Sequence, residues 1–194
     1  MAHGSRSLVL VVVLLSTAFA VADDGAPPGV IRFRATMASL GESAGEFRRW
    51  RITRATIDEA HPERSRVEAE IDLASVDTDL EERDRHLRGE RFLDVGHYPA
   101  ATVTITDATF EDPDHVRVTA TLDLHGVVRT FPMTFAITDR GKRRVEAEVT
   151  LKRLDFGIGP ALGWYDPVQI RDEVIVDVDA VVPPAAPAPS PSGG

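Results

Sequence analysis

Charged and histidine side chains are concentrated in one stretch of the chain, EERDRHLRGERFLDVGHYP, at residues 81–99. Such residues could bind a metal ion or act as acids and bases. A metal site needs ligands at strand or helix spacing, whereas His86 and His97 are eleven residues apart and the chain has no HxH or HExxH motif. A hydrolase needs a nucleophile beside a base, and the stretch contains neither serine nor cysteine. Acidic pairs such as Asp77 and Asp79 are reminiscent of a glycosidase, but with 31 acidic residues in the chain a solvated face is the better interpretation.

The same stretch is better explained as a short helical connection. Thr78 stands three residues before Glu81, the spacing of a capping box, and Gly89 stands where a helix would end. Pro99 favours extended geometry for the residue before it, so a strand should begin there. We expect the charges to be solvated or paired locally, with His86 hydrogen-bonded to a backbone carbonyl. Leu80, Asp84 and Leu87 should share one helical face, and Phe92, Leu93 and Val95 should form the apolar side of the next turn. Phe92 should close the barrel end.

Alternation of apolar and polar residues dominates the elements that would position this stretch. Val67, Ala69, Ile71 and Leu73 share one face of RVEAEIDLASV, and ATVTIT, HVRVTATLDLHG, FPMTFAI and RVEAEVTLKR show the same period of two. That period is typical of strands with one buried and one solvated face. Polar segments with Pro or Gly at 111–114 and 138–142 predict hairpin turns. With further strands near 30–37, 47–57 and 173–182, we expect eight antiparallel strands.

Eight long strands with one apolar face favour an all-β fold in which the sheet closes into an antiparallel barrel, because closure removes exposed strand edges. A two-sheet sandwich with the same alternation is the alternative. A barrel of this size is filled by side chains or holds one small ligand. Its inward residues would be mainly Val, Ala, Ile, Leu and Phe, so a cavity would favour an apolar guest.

The two ends of the chain stand apart from this pattern. Arg6, the apolar run at 8–15 and small residues up to Ala22 predict a signal peptide at 1–22, too short to be a permanent membrane anchor. Residues 183–194, PPAAPAPSPSGG, predict a disordered tail, which leaves one domain at 23–182. The formal charge of −9 argues against nucleic acid as a partner. An exported chain without cysteine suits a periplasmic or secreted protein.

The segment IDLASVDTDLEERDRHLRGERFLDVGHYPAATVTIT closely resembles the signature of the YceI-like polyisoprenoid-binding family. TATLDLHGVVRTFPMTF, LKRLDFGIG and IRDEVIVDVDA then match in order, so the resemblance covers residues 30 to about 182. It implies a lipocalin-like, extended eight-stranded barrel with an apolar tunnel, in a periplasmic or secreted protein without a catalytic centre. The family positions are Asp77, Asp84, His86, Leu87, Phe92 and Pro99 in the connection, Gly126 in a hairpin, Arg153, Asp155, Phe156 and Gly157 in a strand, and Asp172 and Val174 at the start of the last strand.

One departure from the family pattern concerns the first strand. Phe33, Gly45 and Phe47 keep the expected spacing, but Met37 stands where a histidine is usual, which bears on the preference for a ligand head group. The pocket candidates are Phe33, Phe47, Phe92, Val103, Ile105, Phe135, Phe156, Ile158 and Trp164.

The resemblance and the apolar pattern together predict a non-catalytic protein that carries or stores a long isoprenoid, quinone-like or other lipid chain, with no cofactor and no metal. A ligand-free structural or stress-response module is the first alternative, and an enzyme acting on a lipid is the second. A homodimer is retained as an alternative to a monomer.

Overall fold

The computed structural model describes residues 28–37, 41–161 and 170–184. The predicted signal peptide, the pocket candidate Trp164 and most of the predicted tail lie outside the described residues. Among these residues there are ten strands and one α-helix: β1 (Gly29–Met37), β2 (Gly41–Phe47), β3 (Trp50–Thr56), β4 (Arg66–Asp72), β5 (Val76–Asp77), α1 (Glu81–Arg88), β6 (Ala100–Phe110), β7 (His115–Leu124), β8 (Val127–Asp139), β9 (Arg144–Lys152) and β10 (Ile170–Val181).

The strands form a ring, because both ends of the sheet belong to interrupted strands. In order of pairing the sheet runs β3-β4-β6-β7-β8-β9-β10-β1-β2-β5, and the pairs are antiparallel. β2 continues into β3 across Arg48 and Arg49, and β4 continues into β5 across a 3-10 turn at Leu73–Ser75. β3 pairs with β4 while β2 pairs with β5, so the two interrupted strands face each other. Counted as continuous strands, the ten segments make the predicted all-β, eight-stranded barrel rather than a sandwich.

The two interruptions are fastened to each other by polar contacts. The backbone N–H of Arg48 donates to the carbonyl of Ser75 at 3.1 Å, and that of Arg49 donates to the Ser75 hydroxyl at 3.0 Å. The carboxylate of Asp72 accepts from Arg49 Nε at 2.8 Å and from the N–H of Ala74 at 2.9 Å. Backbone groups released where the strands bend are thus satisfied by side chains, as burial requires.

Three strand predictions need correction. The second strand begins at Gly41 rather than near residue 47, because GESAGEF forms a strand without an apolar alternation to announce it. The last strand begins at Ile170, three residues before the predicted start. β6 extends past Thr106 to Phe110, with a bulge at Asp107, whose φ is +53°. Since a bulge inserts one residue, the inward positions change from odd to even, and Phe110 still faces the interior.

The predicted inward faces line the interior of the barrel. Of the alternating sets, Ala147 alone is absent from the wall of the central cavity. A compact core of Ile31, Trp50, Ile71, Leu73, Ala101 and Ala180 packs where β1, β3, β4, β6 and β10 converge. Leu73 is only 1% exposed and anchors this core at the bend between β4 and β5.

The wall of the barrel is weakly paired between β8 and β9. β8 pairs with β7 along His115–Leu124, and β9 pairs with β10 along Arg144–Lys152. β8 and β9 pair with each other only near the hairpin that joins them, at Ala136, Ile137 and Asp139 of β8. Within the described strands, residues 127–135 and 147–152 therefore face each other without a ladder.

Candidate ligand-binding cavity

The inward side chains enclose a cavity of about 1730 Å³. Typical small-molecule pockets measure roughly 300–1,000 Å³, so this interior is large enough for a long chain. Its wall is made chiefly of Val, Ile, Leu, Ala and Phe side chains from all ten strands, and the contribution of β5 is Val76. The structure places eight of the nine pocket candidates on this wall: Phe33, Phe47, Phe92, Val103, Ile105, Phe135, Phe156 and Ile158. Met37, at the end of β1, lines it as well.

The aromatic part of the wall depends on a glycine. Phe33 and Phe47 lie with ring centroids 5.6 Å apart, tilted by 45°. A Cβ atom at Gly45 would come within 2.6 Å of the Phe33 ring and 2.7 Å of Thr78 Cγ2. Glycine at position 45 therefore lets the Phe33 ring lie across β2 and against the ring of Phe47.

One end of the cavity, here called the helix mouth, is formed by α1, the turn after it and residues 153–161. Leu80, Arg83, His86, Leu87 and Arg91 line it from the helical side, together with Glu82 and Phe92. This placement confirms that a short helical connection covers one end of the barrel. Leu93 is buried below the helix, with 8% exposure, and donates its N–H to the carbonyl of Leu87 at 2.9 Å.

The helix is attached differently from the prediction. The capping box was wrong: the residue preceding α1 is Leu80, and no side chain caps the helix there. Instead of capping the helix, Thr78 donates to Asp84 inside the helix, from its N–H at 2.9 Å and from its Oγ1 at 2.5 Å. Asp84 and Thr78 are 4% and 5% exposed. Arg83 adds bonds to Thr78 Oγ1 at 2.8 Å and to the Thr78 carbonyl at 2.7 Å.

Arg88 fixes the end of α1, and Asp77 fixes the segment that leads into it. Arg88 donates to the carbonyls of Ala74 and Val76, both at 3.0 Å, and so ties the helix to the bend between β4 and β5. Asp77 accepts from the N–H of Asp79 at 2.8 Å and forms an ion pair with Arg48. Asp84 therefore pairs with Thr78 rather than with a neighbouring charge, and Arg88 bonds to backbone carbonyls before the helix.

Residues 153–161 form the opposite wall of the helix mouth. Arg153–Phe156 is a 3-10 helix rather than the expected strand, and Gly157 ends it with φ +68°. Arg153 is 6% exposed and donates to three backbone carbonyls, those of Ile158, Ile170 and Arg171, at 2.7, 2.9 and 3.1 Å. Asp172 accepts the N–H of Leu154 at 2.9 Å, whereas exposed Asp155 contributes its carbonyl to Arg129 at 3.0 Å. Arg153 and Asp172 thus fasten the segment after β9 to β10, and Asp155 connects it to β8.

An aromatic contact between Tyr98 and His125 lies against residues 153–161. The rings of Tyr98 and His125 lie with centroids 4.5 Å apart, and His125 Nδ1 is 2.9 Å from the carbonyl of Phe156. Gly126, with φ +73°, lies so close to Tyr98 that a Cβ would come within 2.7 Å of the ring. Pro99 accepts the N–H of Leu73 at 3.0 Å. The Gly126 and Pro99 positions therefore have structural roles.

Ionisable groups in the 81–99 stretch do not converge on a reaction centre. His86 is exposed at the helix mouth, and its ring makes no hydrogen bond within the described part of the chain, so the predicted bond to a carbonyl was wrong. Asp94 accepts a hydrogen bond from exposed His97 at 2.9 Å and thereby raises the pKa of His97. No group of three or more metal-ligating side chains occurs among residues 28–37, 41–161 and 170–184.

One motif escaped the sequence reasoning. Residues 41–45, GESAG, have the G-x-S-x-G spacing of a nucleophile elbow, which requires a sharp turn between a strand and a helix. Here the motif lies inside β2, where Ser43 pairs with Ala35 on β1. The hydroxyl of Ser43 faces the cavity without a hydrogen bond to a described residue, so the structural context of a hydrolase is missing.

The other end of the cavity, the loop mouth, is formed by residues 57–66 and by the hairpins at 111–114 and 140–143. Arg143 on one side donates to Glu59 on the opposite side at 3.2 Å. The backbone N–H of Asp114 lowers the pKa of Asp112, and the backbone N–H of Lys142 lowers the pKa of Asp139. These carboxylates hold the two hairpins in shape by accepting backbone donors.

A closed antiparallel barrel around an apolar interior places the molecule in the lipocalin-like class. The profile of the YceI-like domain matches residues 28–182. Protein YceI of Salmonella arizonae is 35% identical over 133 residues, which are 65% of this chain and 68% of that protein, and Protein YceI of Salmonella newport matches equally. The chain therefore belongs to the YceI-like family.

Solved structures show the same fold. BcnA of Burkholderia cenocepacia superposes with a TM-score of 0.68 at 21% identity, over 79% of this chain and 96% of that chain. A polyisoprenoid binding domain from Saccharophagus degradans superposes with a TM-score of 0.58 at 20% identity, over 79% and 92% of the two chains. Among the described residues, no helix is long and apolar enough to cross a membrane.

Proposed function

We propose that this protein binds one long apolar or amphiphilic chain, such as an isoprenoid or another lipid, and carries or stores it without chemical change. The apolar cavity of about 1730 Å³ is the observation that carries the proposal. The name of the Saccharophagus degradans domain, a polyisoprenoid binding domain, supports the same ligand class. With the signal peptide predicted at residues 1–22, the proposal places this activity in the periplasm or outside the cell.

Simple energetics favour long chains over short ones. Each methylene group removed from water contributes about 0.8 kcal/mol, so ten buried methylenes contribute about 8 kcal/mol. Association costs roughly 4–15 kcal/mol in lost freedom. A chain of a few carbons cannot offset that cost, whereas one that fills much of the cavity can. Retention should therefore rise with chain length until the cavity is full.

A cavity of this volume also distinguishes the proposal from its alternatives. A ligand-free module would fill its interior with its own side chains, whereas this interior is hollow. An enzyme acting on a lipid would need His86 beside carboxylates inside the cavity, but His86 lies exposed at the helix mouth with Glu82 as its acidic neighbour on the rim. Binding without catalysis is the function that this arrangement supports best.

The test uses extraction and a neutral fluorescent probe. Organic extraction of the purified protein followed by mass spectrometry should recover a stoichiometric apolar molecule, and the emptied protein should bind N-phenyl-1-naphthylamine. Val103→Trp projects a larger side chain into the lumen from β6 and should weaken probe binding. Its neighbour Thr102 points outward and is exposed, so Thr102→Trp is the matched control. Absence of both an extracted ligand and probe binding in the wild type would refute the proposal.

A further inference from the structure

Arginines line the cavity at both mouths, but their surroundings differ. At the loop mouth each has a carboxylate partner, in the pairs Arg66–Glu68, Arg140–Asp114 and Arg143–Glu59, with N···O distances of 2.7, 3.3 and 3.2 Å. Their charges are therefore compensated within the protein. This end of the cavity has no need of a further anion.

At the helix mouth two arginines lack such compensation. Arg83 spends its Nε and Nη2 donors on the uncharged oxygens of Thr78, and within the described part of the chain it has no carboxylate partner. Arg91, exposed on the turn after α1, makes no hydrogen bond or ion pair to any described residue. Both side chains line the cavity. Arg83 and Arg91 thus present guanidinium groups without a direct ion pair at the opening of an apolar interior, with the Asp84 carboxylate behind Arg83 across the shared Thr78 hydroxyl.

Among the described residues, no other charged group at this end forms an ion pair with Arg83 or Arg91. Arg153 is already committed to three backbone carbonyls. Glu82 is exposed on the rim and forms no ion pair with a described residue. His86 follows Arg83 by three positions on the helix, which brings both to one face. The helix mouth consequently carries two guanidinium groups without an ion-pair partner, beside the carboxylate of Glu82, on a chain whose formal charge is −9.

This contrast assigns both a head group and a direction to the ligand. Guanidinium groups match the geometry of carboxylates and phosphates, and a low-dielectric wall strengthens their field. Resting on the binding function proposed above, we propose that the protein selects amphiphiles with an anionic head, a carboxylate or a phosphate. The head binds Arg83 and Arg91 at the helix mouth, and the chain extends toward the paired arginines of the loop mouth.

The first experiment compares head groups on one chain length. Palmitate, hexadecyl phosphate and hexadecanol, each below its aggregation limit, are titrated against protein loaded with N-phenyl-1-naphthylamine. We expect both anions to displace the probe at lower concentration than the alcohol, with the advantage shrinking at high salt because salt screens exposed charges. The ranking of palmitate against the phosphate then identifies the preferred anion. Equal displacement by all three would overturn the inference, while probe binding itself still reports on the proposed function.

Variants test whether Arg91 is responsible for the preference for anionic head groups. Arg91 has no structural partner among the described residues, so Arg91→Gln should fold normally and weaken the two anions about two- to fivefold relative to hexadecanol, the range of a partly exposed ion pair. Arg91→Lys should restore most of the loss. Arg85 carries the same charge on α1 but lies outside the cavity wall, so Arg85→Gln is the control and should retain the full preference. Loss of the preference in both glutamine variants, or in neither, would contradict the assignment.

The orientation of the bound chain in the cavity is measured by an independent experiment. Stearate with a nitroxide at carbon 16 carries its spin label near the end of the chain. In the proposed orientation it should broaden amide signals at the loop mouth, such as those of Phe110 and Ile137, more than those of Leu87 and Arg91. Stronger broadening at the helix mouth would mean that the head lies at the other end and would refute the proposed direction.

Discussion

The attachment of α1 by Asp84 predicts a large effect from a single substitution. Asp84→Ala removes the acceptor of two hydrogen bonds from Thr78 and leaves the N–H of that buried residue without a partner. Hydrogen bonds to a charged group contribute about 1.5–3 kcal/mol each, so the loss should amount to about 3–6 kcal/mol. A helix of eight residues cannot compensate, because isolated helices shorter than about 12–15 residues are marginal in water.

Hydrogen exchange of the α1 amides is the most direct assay of this loss. A cost of about 3 kcal/mol corresponds to roughly a 150-fold faster exchange through local opening. Because the barrel strands keep their own ladders, their amides should change less than those of residues 81–88. The midpoint of urea unfolding should also fall to the extent that the bend between β4 and β5 depends on the helix.

Two further variants make the test specific. Glu82 is an exposed neighbour of Asp84 on the same helix, so Glu82→Ala should leave exchange within about threefold of the wild type, as expected for a surface change. Asp84→Asn keeps one acceptor oxygen and should fall between the two. If α1 is protected equally well in Asp84→Ala and Glu82→Ala, the hydrogen bonds of Asp84 are not what holds the helix.

Two predictions concern the segments around the helix mouth. His97 should titrate with a pKa above its ordinary 6.5, and Asp94→Asn should return it toward that value in an NMR titration of the ring protons; an unchanged pKa in the variant would disprove the pairing. Because the pKa is raised in the folded state, the stabilisation by this pair is present below pH 6.5 and is lost as the pH rises through the folded-state pKa. Gly126→Ala and Gly41→Ala both place a side chain at positive φ, which costs about 1–2 kcal/mol each. Only Gly126→Ala also brings a Cβ atom into the Tyr98 ring, so it should lower the free energy of unfolding more in urea titrations. Equal losses would contradict the close approach of Gly126 to the Tyr98 ring.

Much of the barrel could be predicted from the sequence because a period of two survives in most strands. RVEAEVTLKR, for instance, alternates without interruption, and the structure forms β9 over Arg144–Lys152. β2 could not be predicted in this way, since GESAGEF offers no apolar face until Phe47. That strand forms because its neighbours β1 and β5 supply the ladder, which is a tertiary effect.

The helix mouth shows where local patterns fail. The spacing of Thr78 and Glu81 predicted a capping box, but the partner of Thr78 is Asp84, one turn further on. Local rules cannot distinguish these partners, because the choice depends on how α1 packs against the preceding strand. Similarly, the family positions Arg153 and Asp172 were identified by resemblance, whereas their backbone partners emerged only from the fold.

The seam between β8 and β9 makes the barrel wall mechanically uneven. Between β7 and β8, and between β9, β10 and β1, widening the lumen would break ladder hydrogen bonds, but residues 127–135 and 147–152 have no ladder between them to break. The girth of the cavity can therefore adjust at this seam, while its length is set by the lengths of the strands. Phe131, Met133 and Phe135 line the lumen beside this seam, and methionine is a side chain that adapts to irregular shapes. For the ligand proposed above, we therefore expect a strict limit on chain length and tolerance of branches along the chain.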